Sequence, residues 1–314
     1  MKKTIKTIGI VVGVHLLVIV ALALFYRISL SVESGRIEPI GNMVNVGGYQ
    51  MHVFVDGNND DAPLLAFLSG FGTTAPVYDF APIRSLLARD YRIAVVERFG
   101  YGYSDITNRP RNIDTVLSDT RTALSIVGET GPFILFPHSM SGIEAIRWAQ
   151  SYPDEILGIV GIDMAVPSFY LENESALASE ASQQRFQSIF TRGLGVHRLF
   201  GSVNIPTLTE TEITQATLLS RRNMQNPTMI SEARAVADNA RTVSLADIPN
   251  IPFLLLVSNE QENVAEGWIT HSTNFATQSG GRIEFFNAGH YLHHYIADVI
   301  ASLSREFIAD ILND

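Results

Sequence analysis

A chain of 314 residues, 46% hydrophobic and 17% charged, has enough apolar material for one large α/β domain with an insertion, and this composition argues against disorder. The formal net charge of -10 disfavours nucleic acid as a partner, because phosphate binding depends on Lys and Arg. The absence of cysteine excludes disulfides, thiolate metal sites and a cysteine nucleophile.

The first predicted element is the apolar run of residues 8–26, which has basic residues on both sides. These are Lys2, Lys3 and Lys6 before the run and Arg27 after it. Since a helix needs about 20 apolar residues to cross the hydrocarbon core, we predict a single-pass signal anchor over residues 1–27. Lysines on the cytoplasmic side place the rest of the chain outside the cell. The alternative is a cleaved signal peptide and a secreted protein, because Ala21-Leu22-Ala23 resembles a cleavage site.

Beyond the anchor, the chain divides into a spacer, a core in two pieces and an insertion. Residues 28–42 are polar and lack helical periodicity, so they are predicted as a spacer. Residues 43–167 and 246–314 are predicted to form the core. Between these two pieces, residues 168–245 have helical stretches and few strand-like runs, and they are predicted as a helical cap or lid.

The core begins with a predicted hairpin, since residues 43–46 and 49–55 alternate apolar and polar side chains around Gly47-Gly48. Continuous apolar runs follow, which suit strands covered on both faces. They occupy residues 64–68, 91–96, 133–136, 156–162, 252–257 and 282–286. Helical stretches separate most of them. This alternation predicts the α/β class, with a mostly parallel sheet flanked by helices.

The segment with the clearest chemistry is residues 133–142, where a buried strand leads into Ser139 and a helix starts at once. In a nucleophile elbow, the serine occupies a sharp turn that exposes its Oγ at the edge of the sheet. Pro137 and Ser141 stand two residues to either side, where the usual pattern has glycine. The alternative is that Ser139 only caps the helix.

Four segments in this order resemble the α/β-hydrolase fold superfamily over about residues 43–312. They are residues 46–49, 68–72, 99–104 and 138–142. The chain is similar in particular to the membrane-anchored serine hydrolases of Gram-positive bacteria. The resemblance implies an α/β-hydrolase fold with a helical lid insertion and an N-terminal transmembrane helix, and it implies hydrolysis of an ester or related acyl bond.

The resemblance implies that His290 is the general base, because the family places this histidine in a loop after the last strand. Imidazole suits that role, since its pKa lies near the working pH. His293 and His294 are competitors for it, although both are expected on the helix that follows.

The acid of the triad is expected after the strand at residues 253–257. A strict alignment there selects Gln261, which cannot be an anion, and Glu260 and Glu262 flank it. We favour Glu260. The other candidate is Asp163, at the end of the preceding strand, which some family members use.

By the same resemblance, the backbone N–H groups of Phe71 and Met140 form the oxyanion hole. The implied reaction passes through an acyl-enzyme and needs no metal or organic cofactor. The partners expected are a small-molecule acyl substrate and the membrane. Apolar side chains of the lid are candidates for an acyl pocket: Tyr170, Phe186, Phe190, Leu199 and Phe200.

Other functions remain open on the same fold. A proline-type aminopeptidase would use lid carboxylates to bind the substrate amine, and Glu172, Glu174 and Glu180 are candidates. A non-catalytic, membrane-anchored binding protein is a further alternative, since a fold does not fix a function. Epoxide hydrolase and dehalogenase chemistry is disfavoured, because both need a carboxylate where Ser139 stands.

Overall fold

The computed structural model describes residues 2–57, 59, 62–199 and 203–313. Within them, eight strands form one sheet in the order β1-β2-β4-β3-β5-β6-β7-β8. The strands are β1 (Asn42–Val46), β2 (Tyr49–Asp56), β3 (Leu64–Leu68), β4 (Ile93–Glu97), β5 (Phe133–Pro137), β6 (Ile156–Ile162), β7 (Phe253–Ser258) and β8 (Arg282–Phe286). β1 and β2 form the antiparallel hairpin, and β3 to β8 are parallel. The predicted fold class is confirmed.

Helices cover both faces of the sheet. In chain order they are α1 (Lys2–Ser34), α2 (Pro76–Asp79), α3 (Ala81–Leu87), α4 (Ile113–Ile126), α5 (Ser141–Ser151), α6 (Pro167–Glu172), α7 (Glu174–Thr191), α8 (Glu210–Asn223), α9 (Pro227–Ser244), α10 (Trp268–Ser279), α11 (Leu292–Tyr295) and α12 (Ala297–Asn313). α4, α5 and α10 pack on one face, and α3 and α12 pack on the other.

The central strand β5 shows why these strands appear in the sequence as unbroken apolar runs. Phe133 and Leu135 belong to the apolar cluster on one face, whereas Ile134 and Phe136 belong to the cluster on the other. Because alternate side chains of a strand point to opposite faces, a sheet covered on both sides needs apolar residues at every position.

The cap, defined here as helices α6 to α9, lies between β6 and β7 in the chain, where the insertion was predicted. A buried ion network joins it to the core. Arg98, at the end of β4, contacts Glu144 of α5 and Glu232 of α9, each at 3.1 Å. Tyr101 Oη donates to Glu232 at 2.6 Å, so the same carboxylate is held from two sides.

The N-terminal helix α1 is longer than the predicted anchor. It continues to Ser34, through seven residues of the predicted spacer. Residues 28–34 contain no helix breaker, so nothing in the local sequence ends the helix before Gly35. α1 is long and apolar enough to span a membrane, a property that signal sequences share.

Candidate active site

Ser139 occupies the turn between β5 and α5 with a φ of 52°, in the left-handed region that few non-glycine residues adopt. Two backbone bonds hold its carbonyl oxygen, from Gly142 N at 3.0 Å and Ala165 N at 2.8 Å. The Ser141 hydroxyl donates to Leu68 O at 2.6 Å, which ties the elbow to the end of β3. The turn is therefore fixed by its neighbours rather than by the serine itself.

Small residues are required beside the elbow because backbone segments approach it closely. A Cβ on Gly142 would lie 2.2 Å from Ala165 O, so α5 approaches the loop after β6 only with glycine there. A Cβ on Gly70 would lie 2.8 Å from the Ser139 Cβ. Glycine at position 70 thus brings the loop after β3 against the serine.

His290 lies in the loop after β8, and its Nδ1 is 2.5 Å from Oδ2 of Asp163. Asp163 follows β6 directly and its side chain is fully buried. Its other oxygen, Oδ1, accepts hydrogen bonds from Ser258 N at 2.9 Å and from Trp268 Nε1 at 2.8 Å. The carboxylate is thus fixed by neighbours on three sides, in the geometry of a His–acid pair.

The structure pairs His290 with Asp163, the alternative candidate for the acid, rather than with Glu260. Glu260 is exposed at the start of a turn after β7. Glu262 accepts from Gly267 N and Ile269 N, both at 2.8 Å, and so binds the start of α10. β6 and β7 are adjacent parallel strands, so their carboxyl ends open at the same edge of the sheet. For that reason, the loop after either strand can supply an acid that pairs with a histidine at this edge.

His290 lies close to the elbow because it contacts His138, the residue before Ser139. The two imidazole centroids are 4.7 Å apart, and His138 Nε2 lies 3.2 Å from His290 O. Among the described residues, no hydrogen bond joins Ser139 Oγ to His290. Such contacts often form only when substrate is bound.

Phe71 and Met140 line the same cavity as Ser139. Phe71 follows Gly70 in the loop after β3, and Met140 immediately follows the serine. Within the described part of the chain, neither backbone N–H donates a hydrogen bond to another backbone group. Both are thus available to an oxygen atom bound next to Ser139.

The cavity beside Ser139 has a volume of about 410 Å³ and lies between the core and the cap. Its lining includes the apolar or aromatic residues Phe71, Met140, Phe169, Tyr170, Leu177, Val236 and Trp268 and the polar residues Asn173, Gln184 and Gln261. Glu180 and Glu266 also line it, and the described lining residues include no Lys or Arg. Of the predicted lid side chains, Tyr170 lines the cavity, Phe186 is 64% exposed away from it, and Phe200 and the side chains of Phe190 and Leu199 lie outside the described residues.

A second buried cluster lies next to the His290 loop. His293 and His294, the two competitors for the base, bond through their Nε2 atoms to Asp79, at 2.8 Å and 3.0 Å. Burial acts to raise the pKa of Asp79, but the charges and hydrogen bonds of the two histidines hold it well below its usual range. The three donor atoms lie within 4.8 Å of one another, close enough to serve as ligands of a metal ion. Sequence reasoning missed Asp79, which belongs to no motif.

His138 is a poor candidate for the base although it adjoins the nucleophile. Burial, together with the charges of His290 and His293, holds the pKa of His138 well below its usual value. Its side chain is almost fully buried. His138 is thus neutral at neutral pH.

Comparison with known proteins identifies the family to which this fold belongs. The profile of the Alpha/beta hydrolase family matches residues 65–302. The uncharacterized protein YbdG of Bacillus subtilis (strain 168) is 30% identical over 309 residues, which cover 94% of each chain. The 2-(acetamidomethylene)succinate hydrolase of Mesorhizobium japonicum is 24% identical over 151 residues, 48% of this chain and 51% of that protein.

Solved structures of hydrolases share the fold. An epoxide hydrolase of Bacillus megaterium superposes with a TM-score of 0.65 at 17% identity, covering 85% of this chain and 100% of that one. The haloalkane dehalogenase DbeA of Bradyrhizobium elkani gives 0.59 at 19% identity, covering 87% and 98%. At such identities the likeness establishes the fold alone. On the profile match, which spans most of the chain, this protein belongs to the alpha/beta hydrolase family.

Proposed function

We propose that this protein is a serine hydrolase that cleaves a carboxylic ester or a related acyl bond, with Ser139 as nucleophile, His290 as general base and Asp163 as the acid. The observation that carries the proposal is the buried Asp163 carboxylate on His290 Nδ1, beside a serine held in the left-handed conformation. A serine, a histidine and an acid in these positions form the constellation of acyl transfer.

The proposed reaction has two steps. Ser139 Oγ attacks the substrate carbonyl carbon while His290 Nε2 takes the hydroxyl proton, since Nδ1 is already held by Asp163. The Phe71 and Met140 N–H groups stabilise the oxyanion, and His290 returns the proton to the leaving group. A water then loses a proton to His290 and attacks the acyl carbon, and the bond from that carbon to Ser139 Oγ breaks as His290 returns the proton to Oγ, which releases the acid.

The cavity favours a substrate with an apolar acyl group and no negative charge. Most of its described lining residues are apolar, and the ionisable side chains among them are the carboxylates Glu180 and Glu266 and the phenol Tyr170. Helix α7 supplies Glu180 as well as Leu177, so the cap acts as the lid that selects substrate. Epoxide or haloalkane chemistry is not proposed, because the nucleophile position holds the hydroxyl of Ser139.

Glu180 also supports a second candidate, the proline-type aminopeptidase, because it lines the cavity. The other two predicted carboxylates are engaged elsewhere. Glu172 pairs with His271 at 3.1 Å, and Glu174 pairs with Arg241 at 2.9 Å. Because only one of the three predicted carboxylates, Glu180, lines the cavity, the esterase is better supported than the aminopeptidase.

Labelling with a fluorophosphonate tests the proposal. The full chain in detergent micelles should react with the probe at Ser139, and Ser139→Ala should not. Ser125→Ala, at an exposed serine of α4, is the matched control and should label like wild type. Labelling that persists in Ser139→Ala would overturn Ser139 as the nucleophile, and no labelling of wild type would support the non-catalytic alternative.

A panel of chromogenic esters of increasing chain length, run beside aminoacyl amides, separates the two enzymatic candidates. Ester hydrolysis that rises with chain length is expected from an apolar cavity. Faster turnover of aminoacyl amides would replace the esterase with the aminopeptidase.

A further inference from the structure

The end of helix α1 is docked on the cap. Tyr26 is 6% exposed, although its neighbours Leu24 and Phe25 are 56% and 66% exposed. It packs against Gly195, where an added Cβ would lie 2.7 Å from Tyr26 Cδ2. Gly195 follows α7 of the cap and has a φ of +69°. The contact therefore requires the residue without a side chain.

Two turns further along α1, Glu33 is bound by two arginines of the cap. Its carboxylate contacts Arg198, in the short turn after α7, and Arg221 Nη1 of α8 at 3.0 Å. The Glu33 side chain is 12% exposed. Just past the helix, Gln215 of α8 donates to Arg36 O at 3.0 Å. The segment from Tyr26 to Arg36 is thus held against the cap rather than serving as a loose tether.

The length of α1 places this contact at a membrane surface. Its 33 residues extend for about 50 Å at 1.5 Å per residue, which exceeds the hydrocarbon thickness of about 30 Å. The apolar run ends at Tyr26, and aromatic residues of this type are enriched at the headgroup level. With α1 across a bilayer, the cap surface around Gly195 meets the lipid headgroups.

Helix α7 connects that surface with the cavity. Its residues Leu177, Glu180, Ala181 and Gln184 line the cavity beside Ser139. The helix ends at Thr191, and Gly195 follows four residues later. One helix therefore links the rim of the site to the predicted lipid surface.

We propose that α1 fixes the cap on the bilayer surface, and that the site takes its substrate from the membrane, as an ester lipid with apolar acyl chains and a headgroup that is not anionic. This inference rests on the proposed acyl chemistry at Ser139. The charge preference follows from Glu180 and Glu266, since the described residues of the lining include no Lys or Arg.

Cross-linking tests the docking independently of catalysis, and the cysteine-free chain makes the result easy to interpret. In full-length protein in membranes, the double variant Tyr26→Cys, Gly195→Cys should form an intramolecular disulfide on mild oxidation. With the Tyr26 ring removed, a Cβ at position 195 would lie 3.0 Å from the Cβ at position 26, which is shorter than the roughly 3.5–4.5 Å of a disulfide, so a small backbone shift accompanies the bond. The pair Tyr26→Cys, Leu245→Cys is the control, since Leu245 is 83% exposed at the end of α9, and it should stay reduced. Equal cross-linking of both pairs would overturn the docking.

A charge exchange provides a second test of the docking that keeps glycine at position 195. Glu33→Lys should separate α1 from the cap, and the triple variant Glu33→Lys, Arg198→Glu, Arg221→Glu should restore the contact. Measurements use the full chain in phosphatidylcholine vesicles that contain an uncharged fluorogenic diacylglycerol, beside a short water-soluble ester.

Glu33→Lys should hydrolyse the vesicle ester about tenfold more slowly, since a loosened tether lowers the effective concentration of a linked site. Its rate on the soluble ester should match wild type, and the triple variant should recover the vesicle rate. Wild type that cleaves only the soluble ester would overturn this inference and leave the proposed function standing. Wild type that cleaves neither ester would overturn both.

Discussion

Ser139 and Asp163 both have positive φ angles, of 52° and 44°, and both lie where a parallel strand ends. Non-glycine residues rarely adopt this conformation, and it persists only when surrounding contacts impose it. Here the contacts are identifiable, since Ala165 N binds the Ser139 carbonyl and Ser258 N binds the Asp163 carboxylate. Backbone strain thus marks two of the three proposed catalytic residues.

Asp163 gives the most direct prediction at this scale. Asp163→Asn should lower kcat for a chromogenic ester by about 10⁴-fold, because an amide would hold the wrong tautomer of His290. Glu260→Gln, at the residue favoured by sequence, is the control and should keep wild-type kcat. A large loss in Glu260→Gln with little change in Asp163→Asn would restore the original assignment.

The pKa of His138 predicts how stability depends on pH. Burial and the nearby His290 and His293 lower the pKa of His138 in the folded chain, whereas the unfolded value is about 6.5. Below that pH the unfolded chain binds the proton more readily, so the free energy of unfolding should fall as pH drops. Each such histidine contributes up to about 1.4 kcal/mol per pH unit.

Urea unfolding of the full chain in micelles at pH 7.5, 6.5 and 5.5 measures this dependence. His138→Gln keeps a donor for His290 O but cannot titrate, so its loss of stability at low pH should be smaller than that of wild type. Equal slopes in the two proteins would contradict the assignment. His52, whose raised pKa acts in the opposite sense, is unchanged in both.

The sequence could nominate Ser139 and His290 as candidates because each has a recognisable place in a motif. It could not choose the acid, since Asp163 and Glu260 follow neighbouring parallel strands that open at one edge. The difference between them is the set of donors around Asp163, which include Trp268 Nε1, 105 positions away in the chain. Hydrogen bonds between residues so far apart in the chain cannot be predicted from a local sequence pattern.

At the scale of elements, a short contact joins the two loops on which the proposed catalysis depends. Asp79 ends α2, shortly after the loop with Phe71, and its partners His293 and His294 lie on α11, shortly after His290. One buried carboxylate therefore joins the loop proposed to supply an oxyanion donor to the helix that follows the proposed base.

Asp79→Asn should lower kcat by about 100-fold with little change in KM, because small misplacements of reacting groups have effects of that size. Asp90→Asn, at an exposed ion pair with Arg305, is the control and should behave as wild type. Circular dichroism checks that the variant is folded. A folded Asp79→Asn with wild-type kcat would show that the contact does not position the base.

Most helices and strands could be predicted from hydrophobic periodicity, but the end of α1 could not. Residues 28–34 read as a spacer because they lack an amphipathic pattern. Helix continues there because its side chains find partners on the cap, as Glu33 does with Arg198 and Arg221. Tertiary contacts can thus extend an element past the point where its sequence pattern ends.

For the whole molecule, we infer a single-pass membrane protein with its hydrolase domain outside the cell. Single cysteines in the otherwise cysteine-free chain test this orientation. Leu245→Cys, at a highly exposed position on the cap, should react with a membrane-impermeant maleimide on intact cells. Lys6→Cys should react only after lysis. The reverse pattern would invert the topology, and labelled protein free in the medium would indicate cleavage.

The fold as a whole was the part best predicted, since alternating apolar runs and helical stretches restrict a chain to few topologies. The cavity was not predictable in the same way. Its lining combines the loop after β3, the elbow, the cap helices and α10, which meet only in the folded chain.

Strand β8 forms one edge of the sheet, and confinement to a membrane would make that edge consequential. Proteins anchored in one plane meet side by side at high local concentration, where an open strand invites pairing with a neighbour. On β8, Arg282 pairs with Glu284 at 3.0 Å and with Glu306 of α12 at 2.6 Å. Charged side chains on an edge strand oppose such pairing. The edge thus keeps neighbouring molecules separate in a crowded two-dimensional array.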